Sequence, residues 1–218
     1  MSQVGNTNGR NTVKPAGAGL QKKIIGAAVV VVILVGGFFG YKQFIQVPNE
    51  EKATEALFKA EQWFEVDSLN YVLEGDGQYT GVLHVINKYG STKAGNLARY
   101  YAGLSYLKLG DFPNAIKNLE AFNGAQTPFE ALAFGALGDA YMESGDNEKG
   151  ISFYKKASAN TKDEFIAPLY LYRAARACAF AEKNEEAITL FQQLKKDFPF
   201  SAQAREVDKQ LGLLGVAE

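Results

Sequence analysis

Few side chains in this sequence are placed to do chemistry. There is one cysteine, Cys178, and one histidine, His84. A nucleophilic thiolate needs an accessible, electropositive setting. Cys178 instead falls at a helix-packing position and is expected to be buried and inert. His84 sits in the apolar run Val82-Leu83-His84-Val85-Ile86 and reads as a surface histidine on a helix. One cysteine and one histidine cannot assemble a Cys/His zinc set. The acidic pairs Glu50-Glu51 and Glu185-Glu186 fall at helix starts, where carboxylates favour the helix dipole. There is no Gly-x-Ser-x-Gly elbow, no phosphate-binding glycine loop and no HExxH pair. The sequence therefore assigns no catalytic, cofactor-binding or metal-binding residue, and it points to a non-enzyme with no small-molecule substrate.

Charge is distributed unevenly along the 218 residues. No Asp or Glu precedes Glu50, whereas Arg10, Lys14, Lys22, Lys23 and Lys42 all lie in that stretch. The remainder holds 18 basic and 24 acidic residues, a net charge of −6. Such a body lacks the cationic face that phosphate binding requires, so nucleic acid is an unsuitable partner.

Between the basic flank and the acidic body, Ile24 to Tyr41 reads IIGAAVVVVILVGGFFGY without a charge. Its eighteen residues span about 27 Å as a helix, close to the hydrocarbon thickness of a bilayer. Gly36, Gly37, Phe38 and Phe39 do not form a small-x-small cleavage site, so an uncleaved transmembrane helix is expected. Lys22 and Lys23 abut its entry, and the positive-inside rule then places residues 1–23 in the cytoplasm as a disordered tail. The acidic body would lie across the membrane, in the periplasm of a Gram-negative cell, after a linker at 42–49. Gly36 and Gly40 have the GxxxG spacing of associating helices, a weak signal in a glycine-rich anchor.

The body repeats itself. Gly103, Tyr106, Gly110-Asp111-Phe112 and Ala115 recur as Gly138, Tyr141, Gly145-Asp146 and Gly150. A third set is Ala175, Cys178, Lys183-Asn184 and Ala187, closing with Pro199. The small residues permit close helix approach, and the tyrosines fill space between hairpins. Gly110 and Gly145 suit a left-handed turn, after which Asp111, Asp146 and Asn184 are placed to cap the next helix. Thr127-Pro128-Phe129-Glu130 reads as a capping box, and Pro168 as a helix start. Intervals of 35 and 37 residues separate Gly103, Gly138 and Ala175. This pattern resembles the tetratricopeptide repeat (TPR) family, whose helix-turn-helix unit is about 34 residues long.

The resemblance implies an all-α fold, with the transmembrane helix followed by a right-handed superhelix over 50–214. Its units would be a degenerate repeat at 50–90, repeats at about 96–127, 131–162 and 168–200, and a capping helix at 201–214. In the degenerate unit a helix over Glu50–Val66, a Gly75-Asp76-Gly77 turn and a helix over Gln78–Tyr89 are expected, with 67–74 interrupting the family spacing. Trp63 is read either as a membrane-facing anchor or as a packed side chain.

Family members commonly bind peptides on the inner face of the first helix of each unit. Carried onto this sequence, that face is Tyr100, Leu104, Leu107 and Lys108, then Asp139, Met142 and Glu143, then Tyr172, Arg176 and Phe180. The mix of aromatic, apolar and few charged groups suits an extended or helical peptide segment. The layout of tail, single anchor and repeat body is similar to the ancillary TPR subunit of the bacterial Sec translocon. That resemblance implies translocon subunits, a membrane-anchored chaperone or prolyl isomerase, and client polypeptides as partners. The alternative is a structural assembly subunit of another envelope secretion or division machine.

Overall fold

The computed structural model describes residues 18–125 and 127–216, with side chains from 23 onward, and the expected tail at 1–17 lies outside them. The chain divides into two compact units, Met1–Pro48 and Asn49–Glu218.

In the first unit α1 spans Ala18–Tyr41 and continues into a π-helical turn, Lys42–Gln46, where the sequence suggested a linker. The amide of Val47 donates to the carbonyl of Lys42, five residues back. Pro48 accounts for the widened turn, because proline has no N–H to donate and its ring crowds the carbonyl four residues before it. The helical run Lys23–Glu65 contains a window long and apolar enough to cross a membrane, and none of that window is buried within the chain. Large apolar side chains from Ile24 to Phe39 are all exposed.

The second unit is built from helices. α2 (Val47–Glu65), α3 (Leu69–Glu74) and α4 (Val82–Tyr89) form its beginning. The stretch 67–74, read as an interruption, is a turn followed by a short helix. The segment 78–81, read as helical, belongs to a tight turn closed by an antiparallel bridge between Gly75 and Thr80. Asp76 accepts the amides of Gln78 and Tyr79 there, which offers the backbone an alternative to helix. Three hairpins follow: α5 (Lys93–Lys108) with α6 (Phe112–Ala121), α7 (Phe129–Glu143) with α8 (Asn147–Ala159), and α9 (Ile166–Phe180) with α10 (Asn184–Asp197). A 3-10 turn, Gln203–Glu206, leads into α11 (Val207–Leu213), whose Val207 is buried against the third hairpin.

All three hairpins turn the same way. The amides of Asp111, Asp146 and Lys183 each donate, at 2.9 Å, to the carbonyl of Tyr106, Tyr141 and Cys178 respectively. The residue before each is left-handed: Gly110 at φ 78°, Gly145 at φ 87° and Glu182 at φ 59°. The third turn is therefore Glu182-Lys183, one residue earlier than the pairing Lys183-Asn184. Asp111 and Asp146 cap α6 and α8 by accepting the amides of Asn114 and Lys149. Asn184 makes no such bond, because it is already the first residue of α10 and Lys183 occupies the cap position.

The capping box at 127–130 does not form either. α7 starts at Phe129, and Thr127 turns its hydroxyl back to donate to the carbonyl of Gly124. Two carboxylates take over capping duties that the sequence pattern did not indicate. Asp163 accepts the amides of Phe165 and Ile166 at the start of α9. Glu50, on α2, accepts the amides of Lys93 and Ala94 at the start of α5, at 2.7 and 2.8 Å. A charge at a helix N-terminus is favourable whichever helix supplies it.

The core follows the stack in three clusters. Ala53, Leu57, Trp63, Val72, Val85 and Ala98 join the first elements to α5. Tyr100, Leu119, Leu137 and Tyr141 join the first hairpin to the second, and Tyr154, Tyr170, Leu190 and Phe191 join the second to the third. Trp63 is 8% exposed, which settles it as a packed side chain. Cys178 is fully buried, and burial pushes its thiol up to about 11. His84 is exposed.

Candidate partner-binding surface

The ten residues carried onto the face of α5, α7 and α9 separate into three groups. Tyr100 is buried, with its ring centroid 5.3 Å from those of Phe122 and Phe129. It locks the first hairpin to the second and has no surface to offer, so it leaves the accessible set. Burial also pushes its hydroxyl up to about 12. Leu104, Leu107 and Met142 are half-buried against the hairpin interfaces. Met142 fills the space over Gly150, where a Cβ would stand 2.6 Å from its sulfur.

Polar partners already engage two more. Lys108 is exposed and pairs with Asp67 at 2.6 Å, its ammonium lying 5.1 Å from the Phe64 ring centroid. Asp139, half-buried on α7, receives both a guanidinium and a hydroxyl. Arg173 of α9 donates to its two oxygens at 2.7 and 2.8 Å, and Tyr154 of α8 donates at 2.5 Å. Arg173 also lies over the Tyr170 ring. Burial works against the Arg173 charge, but Asp139 more than offsets it and holds the guanidinium above its ordinary value. Burial and the Asp139 carboxylate both raise the Tyr154 hydroxyl.

The remaining residues face solvent. Glu143 is exposed and has no ion pair among the described residues. Tyr172, Arg176 and Phe180 form one stripe along α9 at helical intervals of four. Tyr172 is half-buried with its ring edge-on to Phe191, and Arg176 stacks over it at 5.9 Å. Phe180 is 74% exposed, and Arg176 meets no carboxylate within ion-pairing distance among the described residues. This stripe presents an arginine stacked on Tyr172, with no ion pair among the described residues, and an exposed phenylalanine one turn further on.

Arg173 and Tyr154 escaped the sequence reading. The signal was present: Asp139 and Arg173 are 34 residues apart, about one repeat, so they occupy neighbouring helices of the stack.

Comparison with known families agrees with this geometry. Two tetratricopeptide repeat models match, one over residues 100–164 and the other over 170–201. No curated protein and no solved structure matches the chain. The stacked hairpins from Tyr100 to Ser201 are therefore tetratricopeptide repeats, the repeat class whose surfaces suggest a scaffold for protein–protein interaction.

Proposed function

We propose that this chain is a membrane-anchored scaffold at the bacterial inner membrane, its tail cytoplasmic and its repeat body periplasmic, assisting protein translocation or a periplasmic chaperone network at the Sec translocon. The observation that carries the reading is the α9 stripe. Arg176 has no ion pair among the described residues, and Phe180 is 74% exposed, one helical turn further along the same face of α9. Exposed aromatic and arginine side chains are the groups most often found at the energetic centre of protein interfaces. The basic flank ahead of α1 and the apolar window in Lys23–Glu65 support the anchor and its direction.

Tagged full-length protein from mildly solubilised native membranes tests the partner. Translocon or chaperone subunits should co-purify, and should fade when Tyr172→Ala and Phe180→Ala are combined. Recovery of neither class of subunit would overturn the translocon reading, and unchanged recovery in the variant would remove the stripe from it. Direction is tested separately by labelling. Cys178 is buried, so a single Ser152→Cys reporter on the exposed face of α8 should react with an impermeant maleimide only from the periplasmic side. Labelling only after the inner membrane is opened would place the body in the cytoplasm.

A further inference from the structure

A second surface lies at the end of the repeat stack. A cavity of about 660 Å³ opens between the α8–α9 connection and the segment after α10. Its lining includes three phenylalanines, Phe165, Phe198 and Phe200, together with Leu169. Phe165 is 84% exposed and Phe200 is 94% exposed, while Phe198 and Leu169 are half-buried. None of the three rings stacks on another ring, and no lysine or arginine lies over any of them among the described residues. Phe165 and Phe200 are thus open to an occupant, while Phe198 packs partly against the core of the third hairpin.

Charge decides which occupant. Two carboxylates line the cavity, Glu164 and Asp197, against one ammonium, Lys162. Neither carboxylate is held in an ion pair among the described residues. Asp197 is also the last residue of α10, where unpaired carbonyls carry partial negative charge. The opposing helix start offers an anion little. The amides of Phe165 and Ile166, the first donors of α9, are both taken by Asp163 at 2.8 Å. Open aromatic faces attract cations through their negative quadrupole, and the two carboxylates, which outnumber the single ammonium of Lys162, add to that attraction.

We infer that this cavity binds a basic side chain, lysine or arginine, of an extended partner peptide, with the flanking apolar residues of that peptide against Phe165 and Phe200. The site is separate from the α9 stripe at Tyr172, Arg176 and Phe180 and stands whether or not that stripe binds a translocon component.

Two labelled heptapeptides test it against full-length protein in detergent micelles, read by fluorescence anisotropy. One carries a central lysine between leucines; the other replaces that lysine by norleucine, which keeps the size and loses the charge. The lysine peptide should bind about tenfold more tightly at low salt, with the gap narrowing as salt rises. Combining Phe165→Ala with Phe200→Ala should abolish binding, and both rings are exposed enough to be removed without touching the core. Asp197→Asn should reduce the preference for lysine severalfold. Tyr79→Ala, an exposed aromatic in the turn before α4, should leave it unchanged, which shows that loss of an exposed ring elsewhere is not enough. Equal binding of the two peptides, no binding of either, or binding that survives loss of Phe165 and Phe200 would each overturn the inference. So would release of the peptide by self-association of the protein through Phe200.

Discussion

The second and third hairpins have one backbone plan and different contents. Position for position, Gly138 answers to Ala175, Tyr141 to Cys178, Gly145 to Glu182, Asp146 to Lys183, Gly150 to Ala187 and Tyr154 to Phe191. The turn hydrogen bonds are nevertheless the same length in both. What differs is how space and polarity are traded between facing helices. In α7–α8 a bare glycine makes room for the Tyr154 ring, whose hydroxyl then reaches Asp139. In α9–α10 the facing ring is Phe191, fully buried and without a hydroxyl, and the opposite position carries a methyl group. Repeat geometry is thus set by spacing and volume pairing, not by any one conserved-looking residue.

The largest effect expected from that view lies in the third hairpin. Phe191→Ala should destabilise the repeat body by about 3–5 kcal/mol, because the ring is wholly enclosed and a cavity would remain. Urea unfolding followed by circular dichroism measures it. A loss below about 1 kcal/mol would mean the third hairpin collapses around the gap and is packed less tightly than its burial indicates. Next comes the exchange of small residues. Alanine is the better helix former by about 1 kcal/mol, yet Gly138→Ala should still destabilise by about 1–2 kcal/mol. Its Cβ would stand 2.5 Å from the Tyr154 ring. Ala175→Gly should cost about 1 kcal/mol for the opposite reason, since it leaves a gap and adds backbone freedom. Stabilisation by Gly138→Ala would contradict the volume pairing.

Two smaller substitutions make each hairpin imitate the other. Tyr154→Phe gives the second hairpin the ring of the third and removes one donor from Asp139. The expected loss is about 1 kcal/mol, limited by partial exposure of the Asp139–Arg173 pair. A neutral outcome would leave Arg173 alone as sufficient for Asp139. Glu182→Gly gives the third turn the residue of the second at a left-handed φ of 59°. It should raise stability by about 0.5–1 kcal/mol, by relief of the steric penalty less the added chain entropy. Thermal melts of both variants beside the parent resolve changes of that size.

The legibility of these features in the sequence divides along the same line. Hairpins one and two announce themselves because glycine and aspartate stand at the turn, where only a few residue types relieve the backbone. The third hides its turn, since Glu182 does the work of glycine, and the repeat pattern points one residue too far, to Lys183-Asn184. Trp63, His84 and Cys178 have the burial that their neighbours in sequence suggested or allowed. The π-helical turn at Lys42–Gln46 is not legible in the sequence, because proline usually marks an end to helix, whereas here one widened turn absorbs Pro48. On the face proposed for a partner, the repeat offsets do not separate Phe180, in solvent, from Tyr100, in the core. That distinction depends on Phe122 and Phe129, which approach Tyr100 only once the hairpins stack. Glu50 capping α5 across 43 residues of chain is legible only in three dimensions.

Capping chemistry supplies the finest test of the comparison, since α8 begins at a carboxylate and α10 does not. The amide of Lys149 donating to Asp146 holds that carboxyl below its ordinary value, and the amides of Ile166 and Phe165 do the same for Asp163. A carboxyl whose folded value is depressed contributes stability that is fully present above its unfolded value, near pH 4, and is lost as pH falls through the folded one. Between pH 7 and 5 protection from amide exchange at the starts of α8 and α9 should therefore stay constant with pH, after correction for intrinsic rates. Below about pH 4 protection at Lys149, Phe165 and Ile166 should fall first, because there a carboxylate accepts the amide itself. At the start of α10 no carboxylate does so, and acid acts only through the Lys155–Glu186 and Lys183–Glu148 pairs, so the loss there should be smaller. Asp146→Asn keeps an acceptor that does not titrate and should flatten the response at Lys149 alone. Uniform loss across all three helix starts would assign acid sensitivity to the whole stack and not to its caps.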